Sequence, residues 1–252
     1  MNATTFRTPL KETNYREQAI QTTCMRCSNS RCLIYKNLQS EMVQMLTSHR
    51  REIRCKKGQQ FIMEGASVTG LFFILEGKVK VSRIGLLGKE QIVRFATEGE
   101  IIGHRGFGTE ETYPITATTL VDSKLCYFSK DSLQDVLRIA PDFTYQFMLF
   151  YANELNKSEI KVKSLSQMTV RERVIDTLLY VNRKFGQIDG YISVVLSRRE
   201  YADYAGTTEE QVIRIFSTLK KEELIFTKGK RIGIHSTQEL QKEIDEHNFY
   251  LG

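Results

Sequence analysis

The sequence predicts an α+β chain in three successive parts: a small antiparallel β-roll, one long helix, and a C-terminal winged helix-turn-helix. Three observations carry that prediction. Across residues 52–128, short β-rich runs alternate with glycine-bearing turns. Residues 141–165 open on Pro141 and then contain neither glycine nor a second proline. Around Gly206, two helix-start signals of the form Ser/Thr-x-x-Glu/Gln stand eleven residues apart. The expected divisions are a flexible N-terminal segment with a cysteine cluster (1–37), the roll (38–140), a dimerisation helix (141–166) and the winged helix-turn-helix (167–252).

Taken in order, residues 1–23 are rich in Thr, Asn and Gln without periodicity and read as a loose tail. Residues 37–49 look like a short amphipathic helix. Strands are expected at 60–63, 70–75, 78–84, 91–95, 115–120 and 124–128, with Cys126 ending a late one. Helix resumes at 131–139 and leads into Pro141. In the long helix, Met148, Tyr151, Leu155, Val162 and Leu165 follow one another at spacings of three, four, seven and three, a heptad seam with Ser158 in its one polar position. A helix with a narrow apolar stripe pairs most simply with its own copy, which predicts a two-fold homodimer.

Thr169 with Glu172 caps a helix over 169–185. Residues 191–196 form a β-branched run. Ser197 with Glu200 and Thr208 with Gln211 then start two short helices joined by a glycine turn. Val212, Ile215, Phe216 and Leu219 give the second helix a buried face, which leaves Glu209, Glu210, Ile213, Arg214 and Ser217 pointing outward. Arg214 can hydrogen-bond guanine and Glu210 can accept from cytosine, in a major groove. Residues 224–234 read as a β-hairpin wing whose Lys228, Lys230 and Arg231 can lie along phosphates.

Composition limits the function. The chain of 252 residues has room for two modest domains and lacks a run of eighteen apolar residues, so we expect a soluble cytoplasmic protein and no membrane partner. Residues 1–60 hold 11 Lys and Arg against 4 Asp and Glu; the remaining 25 bases and 26 acids nearly cancel. The basic character therefore surrounds the N-terminal cysteines rather than the helix-turn-helix. No nucleophile elbow, phosphate loop or zinc-protease motif is present, and His49, His104, His235 and His247 are scattered, so no enzyme is expected.

Cys24, Cys27 and Cys32 form a C-x2-C-x4-C cluster. Three thiols on a basic segment can converge on one metal centre, and nearby Arg and Lys favour the thiolate. Cys55 and Cys126 are the candidates for a fourth protein ligand. A tetrahedral zinc site and a [4Fe-4S] cluster each accept four thiolates, and spacing does not separate them.

With these motifs in place, the chain resembles the CRP/FNR superfamily of bacterial transcription regulators over about residues 38–235, and within it the oxygen-responsive FNR branch. The resemblance implies a cyclic-nucleotide-binding-like roll and an oxygen-labile [4Fe-4S] cluster on Cys24, Cys27, Cys32 and Cys126, leaving Cys55 as a buried thiol. It also implies a DNA reader built from Ser197, Arg198, Arg199, Thr208, Glu209, Glu210, Gln211, Ile213, Arg214 and Ser217, on an inverted-repeat site in double-stranded DNA. The dimer would use Met148, Tyr151, Leu155, Ser158, Val162 and Leu165. The loop 84–89, with Leu86 and Leu87, matches where relatives touch RNA polymerase. Two departures stand out: a four-residue third spacer where the pattern has five, and Ser158 where the branch carries an acid that pushes cluster-free subunits apart. Cyclic AMP is not expected, because Gly103-His104-Arg105 and Tyr113-Pro114 replace the acidic and Arg-Ser pairs that ligand needs. A structural zinc, a thiol switch, or a haem on His104 are the alternatives to the cluster. His104 and Arg105 are expected at the roll surface.

Overall fold

A computed structural model describes residues 24–108 and 111–245. The expected tail 1–23, the end of the chain from residue 246, and His247 lie outside the described residues.

Two short helices come first, α1 (Leu33–Lys36) and α2 (Glu41–Ser48). The segment expected to be flexible up to residue 37 is folded from Cys24 onward: Cys24 and Ile34 belong to the same core as the roll. Eight strands follow: β1 (Arg51–Cys55), β2 (Gln60–Ile62), β3 (Gly70–Glu76), β4 (Lys78–Ile84), β5 (Glu90–Thr97), β6 (Ile101–Ile102), β7 (Thr116–Thr119) and β8 (Ser123–Ser129). They make two four-stranded sheets, ordered β1-β8-β3-β6 and β2-β7-β4-β5, with every pair of neighbours antiparallel. Apolar side chains fill the space between them, as an antiparallel roll requires. Two strands went unread in the sequence. β1 has four polar or charged residues in five on a sheet edge, and β6 is two residues long.

Helix α3 (Lys130–Ile139) starts on a Ser129 cap, and α4 (Pro141–Gln167) carries Pro141 in its first turn, as expected. The inner stripe of α4 packs on the roll through buried Phe143, Phe147 and Glu154. The carboxylate of Glu154 is gripped by Arg94 of β5 and hydrogen-bonded by Lys157 at 2.8 Å. His104 stands beside this pair, its Nε2 3.7 Å from Glu154. It is buried, not on the roll surface. Burial would raise the Glu154 carboxyl, but Arg94 and Lys157 hold it down at about 2. Burial, then the Arg94 charge, pushes the His104 ring down to about 3.

The C-terminal part contains α5 (Val170–Phe185), a small hairpin of β9 (Gln187–Ile188) and β10 (Tyr191–Ile192), α6 (Arg198–Ala205), α7 (Glu209–Lys221), the wing of β11 (Ile225–Lys228) and β12 (Arg231–Ile234), and α8 (Thr237–Lys242). The β-branched run 191–196 pairs only over its first two residues. Thr169 and Glu172 cap α5 reciprocally, and Ser197 and Glu200 do the same for α6. The second core takes Ile92, Phe95 and Leu120 from the roll, so it crosses the domain boundary. Phe95 stacks on Tyr180 and Tyr204. Lys80 of β4 reaches Glu200 of α6 at 3.5 Å. No described helix is long and apolar enough to cross a membrane.

Two predictions follow from this packing. Gly206 sits at φ 66°, and a Cβ there would lie 2.8 Å from Leu165 Cδ2. Gly206→Ala should therefore destabilise the chain by about 1 kcal/mol or more in denaturant titration. For His104, the unfolded ring takes a proton near pH 6.5 and the folded ring only near 3, so stability is lost as pH falls through that window. The Glu154 contribution is lost lower, between its unfolded value of about 4.3 and about 2. His104→Gln should then remove roughly 2 kcal/mol of the loss between pH 6.5 and 5, read as a flatter dependence of Tm on pH.

Candidate functional site

Cys126 lies in the middle of β8, not at its end, paired with Glu52 of β1 on one side and Phe73 of β3 on the other. Side chains alternate along a strand, so Cys126 and Phe128 share the sheet face opposite Leu125. Residues 24–36 fold over that face. Cys24–Arg26 make a 3-10 turn in which the Cys27 N–H donates to the Cys24 carbonyl at 3.1 Å, and Cys32 precedes α1. Asn29 Nδ2 donates to the Ile74 carbonyl at 3.2 Å, fastening the segment to β3. As a result Cys24, Cys27, Cys32 and Cys126 line one pocket, together with Asn29, Arg50, Phe73 and Phe128. Cys55 is buried elsewhere and lines none of it.

The chemistry of this pocket is that of neutral thiols in an apolar wall. Burial pushes the Cys126 thiol up to about 12 and Cys32 to about 11, and raises Cys24. The Arg50 charge opposes burial at Cys24 and Cys126. A sulfur acceptor is already in use: the Asn29 N–H donates to Cys27 Sγ at 3.4 Å. Among the described residues, no three His, Cys, Asp or Glu side chains form a group able to hold a single metal ion. Tetrahedral zinc with Zn–S near 2.3 Å needs its sulfurs within about 3.8 Å of each other. A four-iron cube carries each thiolate on a separate corner and takes a wider donor set.

A second site lies on α6, the Gly206 turn and α7. Thr208 accepts from the Gln211 N–H, but the expected second capping box is only half made: the Gln211 side chain accepts from Thr207 Oγ1 at 2.6 Å instead. Val212, Phe216 and Leu219 are buried, while Glu209, Glu210, Ile213, Arg214 and Ser217 are exposed together. Glu210 and Arg214 are not ion-paired with each other among the described residues. At the start of α6, Arg199 is exposed. Arg198 instead lies over the Phe216 ring at 4.7 Å, and Ser197 is occupied as a cap. In the wing, Lys228 and Lys230 are exposed and Arg231 lies over the Tyr191 ring at 4.3 Å.

The outer face of α4 divides the six seam residues. Met148, Leu155 and Val162 are 56, 62 and 65% exposed, three large apolar side chains at seven-residue spacing facing away from the roll. Tyr151, Ser158 and Leu165 sit on the adjoining line and are engaged within the chain. The Tyr151 hydroxyl donates to the His104 carbonyl at 2.7 Å, Ser158 Oγ accepts from Arg105 at 3.2 Å, and Leu165 abuts Gly206. Arg105 thus faces the long helix, not the roll surface. The sequence reading missed Arg50 and the Arg94–Glu154 pair. Arg50 sits in a run of charges that gives no sign of burial, and Glu154 is one carboxylate among many on a polar helix.

Comparison with known proteins follows from these two sites. The cyclic nucleotide-binding domain family matches residues 52–139, and the Crp-like helix-turn-helix domain family matches residues 172–243. The "Fumarate and nitrate reduction regulatory protein" of Vibrio cholerae is 27% identical, covering 87% of this chain and 89% of its own length. The "Transcriptional activator protein anr" of Pseudomonas aeruginosa is 28% identical, covering 73% of this chain and 77% of its own. The structure of FixK2 from Bradyrhizobium japonicum superposes with a TM-score of 0.69 at 23% identity, covering 77% of this chain and 96% of that one. With both domains matched in this order, the chain belongs to the CRP/FNR family of DNA-binding transcription regulators.

Proposed function

We propose that this regulator responds to oxygen, or to a related redox signal such as nitric oxide, through a [4Fe-4S] cluster held by Cys24, Cys27, Cys32 and Cys126. The observation that carries the reading is that a mid-strand cysteine of the roll lines the same pocket as the N-terminal trio. The names of the relatives, regulators of fumarate and nitrate reduction and Anr activators, point the same way. The donor set, four thiols spread around one pocket beside a guanidinium, fits a four-thiolate cluster better than a single zinc ion. Once bound, such a cluster supplies an iron–sulfur core that oxygen takes apart.

The protein's own residues do the rest. Four thiolates would tie residues 24–32 to β8. That segment shares one core with Phe73, Phe128 and Leu133, and this core runs on to Phe143 and Phe147 of α4. No residue of α4 lines the thiol pocket itself, so the influence on the helix is indirect, through α3 and the roll. Met148, Leu155 and Val162 meet their copies across a two-fold axis, and Ser158 brings no charge into that contact. The dimer sets two recognition helices one helical turn apart on an inverted repeat. Glu210 and Arg214 read bases, while Arg199, Lys228 and Lys230 lie along phosphates. Leu86 and Leu87, fully exposed at the tip of the β4–β5 hairpin, form the contact to RNA polymerase. Cyclic AMP finds no partner: Tyr113 is spent on Gly70, and Arg105 faces Ser158.

Purified without air, the wild type should be coloured and carry iron and sulfide in equal amounts, about four of each per chain, with the colour bleaching on aeration. Cys126→Ser should lose most of both. A colourless wild type with one zinc per chain would overturn the reading. In quantitative DNA binding, Arg214→Ala should weaken the specific site by about 1–3 kcal/mol and relax preference at one base position. Lys230→Ala should instead weaken all sequences alike and lower the salt slope by about one.

A further inference from the structure

We propose that Arg50 is the built-in counter-charge of the thiol pocket, the residue that fits it for an anionic four-thiolate cluster and raises that cluster's reduction potential. The inference rests on the cluster reading above.

Arg50 follows α2 and immediately precedes β1. The other described arginines near the cysteines are turned to solvent: Arg26 and Arg51 are exposed, and the side chains of Arg31 and Arg54 are 67% and 80% exposed. Arg50 is the exception. Its side chain is 7% exposed, and it lines the pocket alongside all four cysteines. Its guanidinium lies within hydrogen-bonding reach of Cys24 and acts electrostatically on Cys126, so it touches both the N-terminal and the strand-borne parts of the donor set.

A buried guanidinium is costly unless a negative charge meets it. The one carboxylate paired with it is Glu52, whose Oε2 is 3.1 Å from Nη2. Glu52 is 29% exposed and also pairs with Arg54 at 3.5 Å, so it compensates only in part. The protonated thiols supply no charge at all. Four thiolates around an iron–sulfur core do supply one, because their four negative charges outweigh the core's positive charge. The pocket therefore gains its missing anion when the cluster binds. A fixed cation beside that anion favours the electron-rich state, and an N–H aimed at a ligating sulfur acts in the same direction. Arg50 accordingly gives a physical role to the basic N-terminal third of the chain, whose other arginines stay in water.

The test compares anaerobically purified wild type, Arg50→Gln, Arg50→Lys and Glu52→Gln. The readouts are iron and sulfide per chain, and the midpoint potential from spectroelectrochemical titration. Arg50→Gln keeps a donor and removes the charge. At a fixed applied potential its reduced-to-oxidised ratio should fall about tenfold, a shift of about 59 mV for a one-electron couple. Arg50→Lys should restore most of that. Glu52→Gln breaks the same ion pair but leaves the cation in place, so its potential should stay or rise. If Arg50 served only as a partner for Glu52, Arg50→Gln and Glu52→Gln would move together, and that result overturns the proposal. Failure of Arg50→Gln to load at all, with Arg50→Lys loading normally and circular dichroism unchanged, also supports it. Failure of both Arg50 variants to load, with wild type loaded, overturns it by making shape rather than charge the requirement. A wild type that holds no cluster sinks the functional reading itself, which is a separate and visible outcome.

Discussion

The grip of Arg94 on Glu154 is the constraint that organises this chain. A carboxylate buried halfway along a 27-residue helix is tolerable only where a cation meets it. Only one rotation of α4 about its axis brings Glu154 to Arg94. That rotation sends Phe143 and Phe147 into the roll and turns Met148, Leu155 and Val162 away from it. The apolar stripe available to a second copy is therefore specified by an ion pair on the opposite side of the helix. Breaking one member would leave the other buried and uncompensated, which is far worse than removing both. Charges continue beyond the pair. Glu100 approaches Arg94 at 3.6 Å and also holds Lys184 of α5, so roll, long helix and DNA-binding part share one electrostatic chain.

Strand β5 makes this junction possible through an irregularity. Ile92 pairs with Ser82, and Arg94 pairs with Val81, so Val93 is an extra residue bulged out of the ladder. In a regular strand Ile92 and Phe95 would point to opposite faces. With the bulge between them, both reach the second core, where Phe95 stacks on Tyr180 and Tyr204, while Arg94 turns toward α4. One strand thus packs against both the sensing core and the DNA-binding part. Lys78 reinforces the junction by donating to Ser193, and Lys80 by pairing with Glu200.

What the sequence made legible follows from the range of each interaction. Pro141 at a helix start, the reciprocal caps at Thr169 and Ser197, and Gly206 in the left-handed region are decided within a few residues, and each is where it was expected. Features decided by distant partners were not legible. Tyr151 fits a heptad perfectly well, yet its hydroxyl is taken by the roll. Gln211 has the right spacing for a capping box, yet Thr207 claims its side chain. The two remaining cysteines make the sharpest case. Cys55 and Cys126 are both on strands and both buried, and they pair to the same sheet. Nothing local separates them; family resemblance singled out Cys126, and the register that sets it beside Phe73 gives the physical reason.

The N-terminal segment is attached to the roll by little besides its cysteines. Asn29 makes one hydrogen bond to Ile74, and the Arg31–Glu98 pair at 3.8 Å is largely in water, where such pairs contribute about 0–1 kcal/mol. Burial of Ile34 and Cys24 adds an apolar contact, and β3 approaches closely at Gly99, where a Cβ would meet the Arg31 backbone. A segment held this lightly is one whose attachment a four-thiolate cross-link can govern. Its apolar contacts then matter for a second reason: the core they join is the one that seats Phe143 and Phe147 of α4. Tightening or loosening residues 24–32 changes how firmly one wall of that core is closed. The coupling requires no large motion, only that the cap be near balance when the thiols carry their protons and firmly closed when they do not.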